Sequence, residues 1–78
     1  MKKKLSKLRQ VRLEAGLSQE DLSKLSGVGR TTIVRIEGED KGALNATLKN
    51  FLRLALALHC TVDDLIEYDY ANSIKEDL

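Results

Sequence analysis

Residues 18–37 read SQEDLSKLSGVGRTTIVRIE, and no other stretch limits the fold of this chain as much. Ser18 is a good N-cap, because its hydroxyl accepts from the open amides of a first helical turn, and Asp21 stands three residues on as a capping-box-like partner. Leu22 and Leu25 are expected to form the buried side of the helix that follows. Ser26-Gly27-Val28 breaks it. Gly27 enters the left-handed region without a Cβ penalty, as a tight turn between two helices requires. A second helix is predicted over residues 30–37, with Ile33 and Ile36 facing inward, Val28 packing just before it and Gly38 ending it.

The flanks read as helix too. Proline is absent, and Leu, Lys, Glu and Ala, all good helix formers, abound. Leu5, Leu8, Val11, Arg12 and Ala15 recur near helical spacing, which predicts a first helix over residues 3–15, stopped by Gly16 as its C′ residue. Residues 38–44 (GEDKGAL) form a polar loop. Asn45 is expected to cap a fourth helix over residues 46–58, with Leu48, Phe51, Leu54, Ala55 and Leu58 on one face. Thr61 is expected to cap a short fifth helix over residues 62–67, burying Val62, Leu65 and Ile66. The fold class expected is all-α, a five-helix bundle without a strand.

At 78 residues the chain holds one domain at most, and its core is small. Phe51, Tyr68 and Tyr70 are the only aromatics, so aliphatic side chains must fill that core. One cysteine and one histidine build neither an internal disulfide nor a zinc site. Cys60 and His59 read instead as a small buried residue and a helix-end residue. No apolar run follows the basic N-terminus as a signal peptide requires, and residues 52–58 are too short an apolar stretch to span a bilayer. A cytoplasmic location is the expectation, with no metal, cofactor or small-molecule ligand.

The overall charge of +1 conceals an asymmetry. The first 36 residues hold nine Lys and Arg against three Asp and Glu, while the remaining 42 hold four against nine. A basic half beside an acidic half suggests a polyanion partner on one side only. The competing reading is an ordinary mixed surface. Lys2, Lys3, Lys4 and Lys7 make a basic N-terminal arm, for which two readings stand: it wraps a phosphate backbone, or it is a solubilising end.

Two helices joined by a tight glycine turn make a helix-turn-helix unit, whose second helix lies in the major groove of DNA. With LRQVRLEAGLSQEDLSKLSGVGRTTIVRIEG, LKNFLRLALAL and TVDDLI in this order, the chain resembles the phage repressor/Cro-type, or XRE-like, helix-turn-helix regulators over roughly residues 5–67. The specificity of the match lies in the order and spacing of its elements. Two positions depart from the pattern: Ser23 replaces the usual Ala, and Gly29 replaces the Ser or Thr that commonly caps the recognition helix.

The resemblance implies a compact five-helix bundle of the lambda-repressor-like type. Residues 1–67 form the DNA-binding domain, with a basic arm at 1–4 and the helix-turn-helix at 18–37, and residues 68–78 form an acidic tail. With Ile33 and Ile36 inward, Arg30, Thr31, Val34 and Arg35 point outward or sideways. Arginine pairs bidentately with guanine, and threonine or valine suits a thymine methyl. By resemblance Arg30, Thr31 and Arg35 align with base-reading positions, with Val34 beside them. The alternative for both arginines is solvated surface or phosphate contact. Gln19, at the start of the second helix, aligns with a phosphate-binding glutamine, and Thr32 and Lys41 are further phosphate candidates. The resemblance also pairs Arg12 with Glu37 as a largely buried ion pair, structural in role.

An enzyme is not expected: no catalytic constellation is evident, and GVGRTT lacks the lysine and spacing of a phosphate-binding loop. The expected function is a sequence-specific regulator of double-stranded DNA, a repressor or autoregulator acting as a homodimer on a palindromic operator. Leu56, Ile66 and Tyr68 are the dimer candidates. The rival is a protein-interaction module or an antitoxin whose main partner is another protein, such as a toxin. Leu52 and Leu56 lie off the core face of the fourth helix, and the acidic end adds a second surface of that kind. No membrane partner is expected.

Overall fold

Chain order in the computed structural model, which describes residues 6–38 and 46–66, is four α-helices and a closing 3-10 turn. The helices are α1 (Lys7–Glu14), α2 (Gln19–Ser26), α3 (Arg30–Gly38) and α4 (Leu48–Leu58); the 3-10 turn is Val62–Leu65. No strand occurs among the described residues, so the all-α expectation stands, but the fifth helix is corrected to a single 3-10 turn. Four residues ended by Ile66 in extended conformation cannot close an α-helical ladder.

Side-chain caps fix where each element begins. Ser6 accepts from the Arg9 amide at 3.1 Å, so α1 starts at Lys7; the expected start at residue 3 lies outside the described residues. Ser18 and Asp21 form the full reciprocal box, Asp21 N to Ser18 Oγ at 3.0 Å and Ser18 N to Asp21 Oδ2 at 3.1 Å. Helix α4 starts two residues later than expected. Its cap is Thr47, which accepts from the Asn50 amide at 3.2 Å; Asn45, the expected cap, lies outside the described residues. Thr61 and Asp64 form a second reciprocal box at the 3-10 turn.

Gly27 ends α2 in the left-handed region with φ 75° and donates its amide to the Ser23 carbonyl at 2.9 Å. Two serines of α2 satisfy the backbone of Val28 just after it. Ser23 Oγ donates to the Val28 carbonyl at 2.7 Å, and the Val28 amide donates to Ser26 Oγ at 3.1 Å. Ser23 therefore contributes a bond to the turn that alanine lacks.

The core is Leu8, Leu22, Val28, Ile33, Ile36, Phe51, Leu54, Ala55, Leu58 and Leu65. One or more of these residues comes from every element, and each fully buried aliphatic side chain is worth about 1.5–3 kcal/mol. Helix α2 packs on both α3 and α4, α1 packs on α3, and the 3-10 turn fastens α1 to α4. Two expected core residues are corrected: Leu25 is 63% exposed and Leu48 is 66% exposed. Both sit on the flank of an apolar stripe, where no element among the described residues reaches them. Cys60 is half-buried against the core, where burial pushes its thiol pKa up.

Candidate nucleic-acid interface

Helix α3 is held from one side. Ile33 and Ile36 are buried beneath it, while Arg30, Thr31, Val34 and Arg35 stand exposed and Thr32 is half-buried. These are the residues left over once a nine-residue helix commits its isoleucines at i and i+3 to the core. The left-handed turn at Gly27 aims α3 away from α2. Its first free amides fold back on Gly29, whose carbonyl accepts from Thr32 at 3.0 Å and Ile33 at 3.2 Å. The arrangement presents two guanidinium groups, a hydroxyl and a branched apolar side chain on one outward surface.

The far end of α3 is tied to both earlier helices. Arg12 Nε lies 2.8 Å from Glu37 Oε2, Arg12 Nη2 donates to Glu37 Oε1 at 2.9 Å, and Arg12 Nη1 donates to the Leu17 carbonyl at 2.8 Å. The two side chains are 9% and 4% exposed. The bond to Glu37 holds the arginine pKa above its ordinary value against the opposing effect of burial. Such a pair fixes orientation more surely than it adds stability.

Gln19 is half-buried at the start of α2, and its Nε2 donates to Glu37 Oε1 at 3.2 Å. Glu37 thus links α1, α2 and α3 through one carboxylate, a three-way junction that the residue pattern did not reveal. Lys41 lies outside the described residues, as do Tyr68 and Lys2, Lys3 and Lys4 of the basic arm. Lys7 does not belong with that arm. Its Nζ donates to the carbonyls of Asp63 and Ile66, both at 3.1 Å, and so clamps α1 to the 3-10 turn.

At the opposite end of the sequence order, Leu56 is 77% exposed and Ile66 is half-buried. Leu48, Leu52 and Leu56 line up at i, i+4 and i+8 along the exposed flank of α4. A cleft bounded by Arg9, Arg12, Gln19, Val34, Glu37 and Gly38 opens beside the buried ion pair. Arg9 was not singled out from the sequence, and its only signal there is its place one turn before Arg12 on the same side of α1. Among the described residues no group of three or more His, Cys, Asp or Glu comes together as a metal site. Nor is any described helix long and apolar enough to cross a membrane.

Comparison with known proteins bears on the same span. Residues 8–65 match the helix-turn-helix family. An uncharacterised HTH-type transcriptional regulator of Archaeoglobus fulgidus is 34% identical over 64 residues, covering 82% of this chain and 87% of the relative. A second from that organism is 31% identical over 64 residues, covering 82% and 86%. An uncharacterised HTH-type transcriptional regulator of Methanocaldococcus jannaschii is 36% identical over 64 residues, covering 82% and 92%. No solved structure matches the chain significantly.

Proposed function

The chain belongs to the phage repressor/Cro-type (XRE-like) helix-turn-helix family of DNA-binding transcriptional regulators, and on that premise we propose that it is a repressor or autoregulator that binds a palindromic operator as a homodimer. The observation that carries this reading is the division of α3 into a buried isoleucine face and an exposed face of Arg30, Thr31, Val34 and Arg35. In the major groove Arg30 and Arg35 pair with guanine edges, and Thr31 and Val34 meet a thymine methyl or a base edge. Gln19, Thr32 and Lys41 hold the backbone phosphates that set the register of the helix.

One recognition helix reads only a few base pairs, too few to single out an operator among genomic competitors, so a two-fold pair is required. The DNA-binding unit spans residues 1–67, and the acidic tail at 68–78 lies with Leu56, Ile66 and Tyr68 at the dimer contact. Its negative charge suits a position away from the DNA. Selection of bound sequences from a random duplex pool tests the reading. Two inverted half-sites about 10 base pairs apart, centre to centre, are expected. Enrichment of a single unpaired half-site, or of no sequence, refutes it.

The exposed row of Leu48, Leu52 and Leu56 favours a second reading, in which the chain is an antitoxin-like module that also docks a protein partner along α4. A charged replacement at Leu52, which lies outside the proposed dimer contact, separates the two, because it abolishes partner capture while leaving DNA affinity unchanged.

A further inference from the structure

Every described element but α3 begins at a hydroxyl. Ser6, Ser18, Thr47 and Thr61 each accept the amide of the residue three positions on and so set where their element starts. Helix α3 begins after Gly29, which has no side chain to do this. Only the Gly29 carbonyl takes part, accepting from Thr32 and Ile33. Glycine is also the residue whose backbone is least restrained. The start of α3 therefore needs a fixing point elsewhere, and Val28 supplies it. The Val28 carbonyl accepts from Ser23 Oγ at 2.7 Å, and the Val28 amide donates to Ser26 Oγ at 3.1 Å. That carbonyl belongs to the planar peptide unit joining Val28 to Gly29, so a bond to it fixes the plane from which Gly29 turns into α3. The Val28 side chain is buried in the core and holds the same residue from a third side. Arg30 and Thr31 come next along the chain.

We propose that Ser23 is a positioning residue for DNA recognition: its hydroxyl, acting through the Val28 carbonyl, sets the pose of the first turn of α3 and so the aim of Arg30 and Thr31. The inference rests on the DNA-binding reading and extends it to a side chain that reads no base itself. Ser23 is half-buried, and its one hydroxyl hydrogen is engaged by Val28. Hydrogen bonds to base edges require placement to within about 0.5 Å and 10–20°. Phosphate contacts carry no sequence information. A looser start of α3 thus removes discrimination before it removes affinity for DNA in general. Gly29 provides the means of checking this. Its φ lies outside the left-handed region, and a Cβ added to it meets nothing within 4 Å. Gly29→Ser is therefore accommodated and gives α3 a side-chain cap of its own.

The test compares the wild type, Ser23→Ala, Gly29→Ser, the double variant and Ser6→Ala, all as full chains. Alanine is the better helix former, so α2 survives the loss of Ser23. Ser6→Ala removes one hydroxyl bond at the start of α1 and serves as the control for general loosening. Fluorescence anisotropy gives the affinity for the operator selected from the random pool and for a scrambled duplex. Amide hydrogen exchange follows α3 without DNA. Ser23→Ala is expected to lower the ratio of the two affinities roughly 3–10-fold, part of what outright loss of a base contact costs. It leaves the scrambled affinity unchanged and speeds exchange of the Thr32 and Ile33 amides. Adding Gly29→Ser restores both the ratio and the protection, while Ser6→Ala leaves both as in the wild type. If Ser23→Ala weakens both duplexes by the same factor, or keeps the wild-type ratio, the inference falls while the DNA reading stands. Unaltered exchange at Thr32 and Ile33 in Ser23→Ala overturns it without any DNA. An equal drop in the ratio for Ser6→Ala also overturns it, since any loosening of the bundle then suffices. A wild type that prefers no duplex sinks the operator reading and the inference together.

Discussion

Arg12 and Glu37, 25 residues apart, close on each other through two hydrogen bonds of 2.8 and 2.9 Å and thereby lock α1 against the last turn of α3. Because the pair is almost wholly buried, its two members are worth far less apart than together. Removing one leaves a desolvated charge that nothing neutralises.

Glu37→Ala or Arg12→Ala is therefore expected to cost about 3–5 kcal/mol. The apolar double replacement Arg12→Met with Glu37→Leu is expected to recover most of that loss. Urea denaturation of the four species gives the coupling. Single losses that simply add in the double variant argue that the two residues act independently.

The exposed start of α3 carries the specificity prediction. Arg30→Ala should lose about 1–3 kcal/mol on the selected operator and relax the preference at one guanine per half-site. Gln19→Ala should weaken selected and random duplexes by the same factor, because a phosphate has no base identity. Competition binding with both duplexes distinguishes the cases. An equal loss on both duplexes for Arg30→Ala makes it a backbone contact.

His59 caps α4 in the left-handed region, with φ 56° and ψ 43°, and is the one non-glycine residue of positive φ among the described residues. A Cβ in that conformation costs on the order of 1–2 kcal/mol, part of which a glycine gives back through its freer unfolded chain. His59→Gly is expected to stabilise the fold by about 0.5–1 kcal/mol, a rise of a few degrees in Tm. A Tm that falls shows that the imidazole makes a contribution larger than the backbone strain.

Acid should unfasten two caps. Asp21 accepts the Ser18 backbone amide and Asp64 accepts the Thr61 backbone amide, and these bonds hold both carboxyl pKa values below the usual aspartate range. A carboxylate depressed in the folded state contributes stability that is fully present above the unfolded value of about 3.9 and is lost as pH falls through the folded value. Denaturation midpoints measured from pH 5 downward should thus drop below about pH 4, and Asp21→Asn with Asp64→Asn should flatten that drop. An unaltered acid slope in the double variant places the acid-sensitive groups elsewhere.

Local chemistry was legible from the residues. The Ser18–Asp21 box, the Gly27 turn and the inward pair Ile33 and Ile36 depend on neighbours within four positions, and each is found where its spacing required. The outward residues of α3 follow from the same periodicity, since a helix that buries two isoleucines must expose what lies opposite. Thr61 and Asp64 were legible as a cap, but not the shortness of the turn they begin.

Whatever depends on partners far along the chain was decided by tertiary packing. Leu25 and Leu48 carry the helical spacing of core residues, yet no element among the described residues covers them, because periodicity defines a face without saying how wide its partner is. Lys7 read as one more cation of a basic arm until the 3-10 turn arrived 56 residues later to accept from it. The Gln19–Glu37 bond and the cleft at Arg9 likewise exist only once α1, α2 and α3 converge. Propensity and caps act over one turn of chain, so sequence alone determined the helix-turn-helix. Burial and charge pairing act through space, so only the assembled bundle decided which side chains meet.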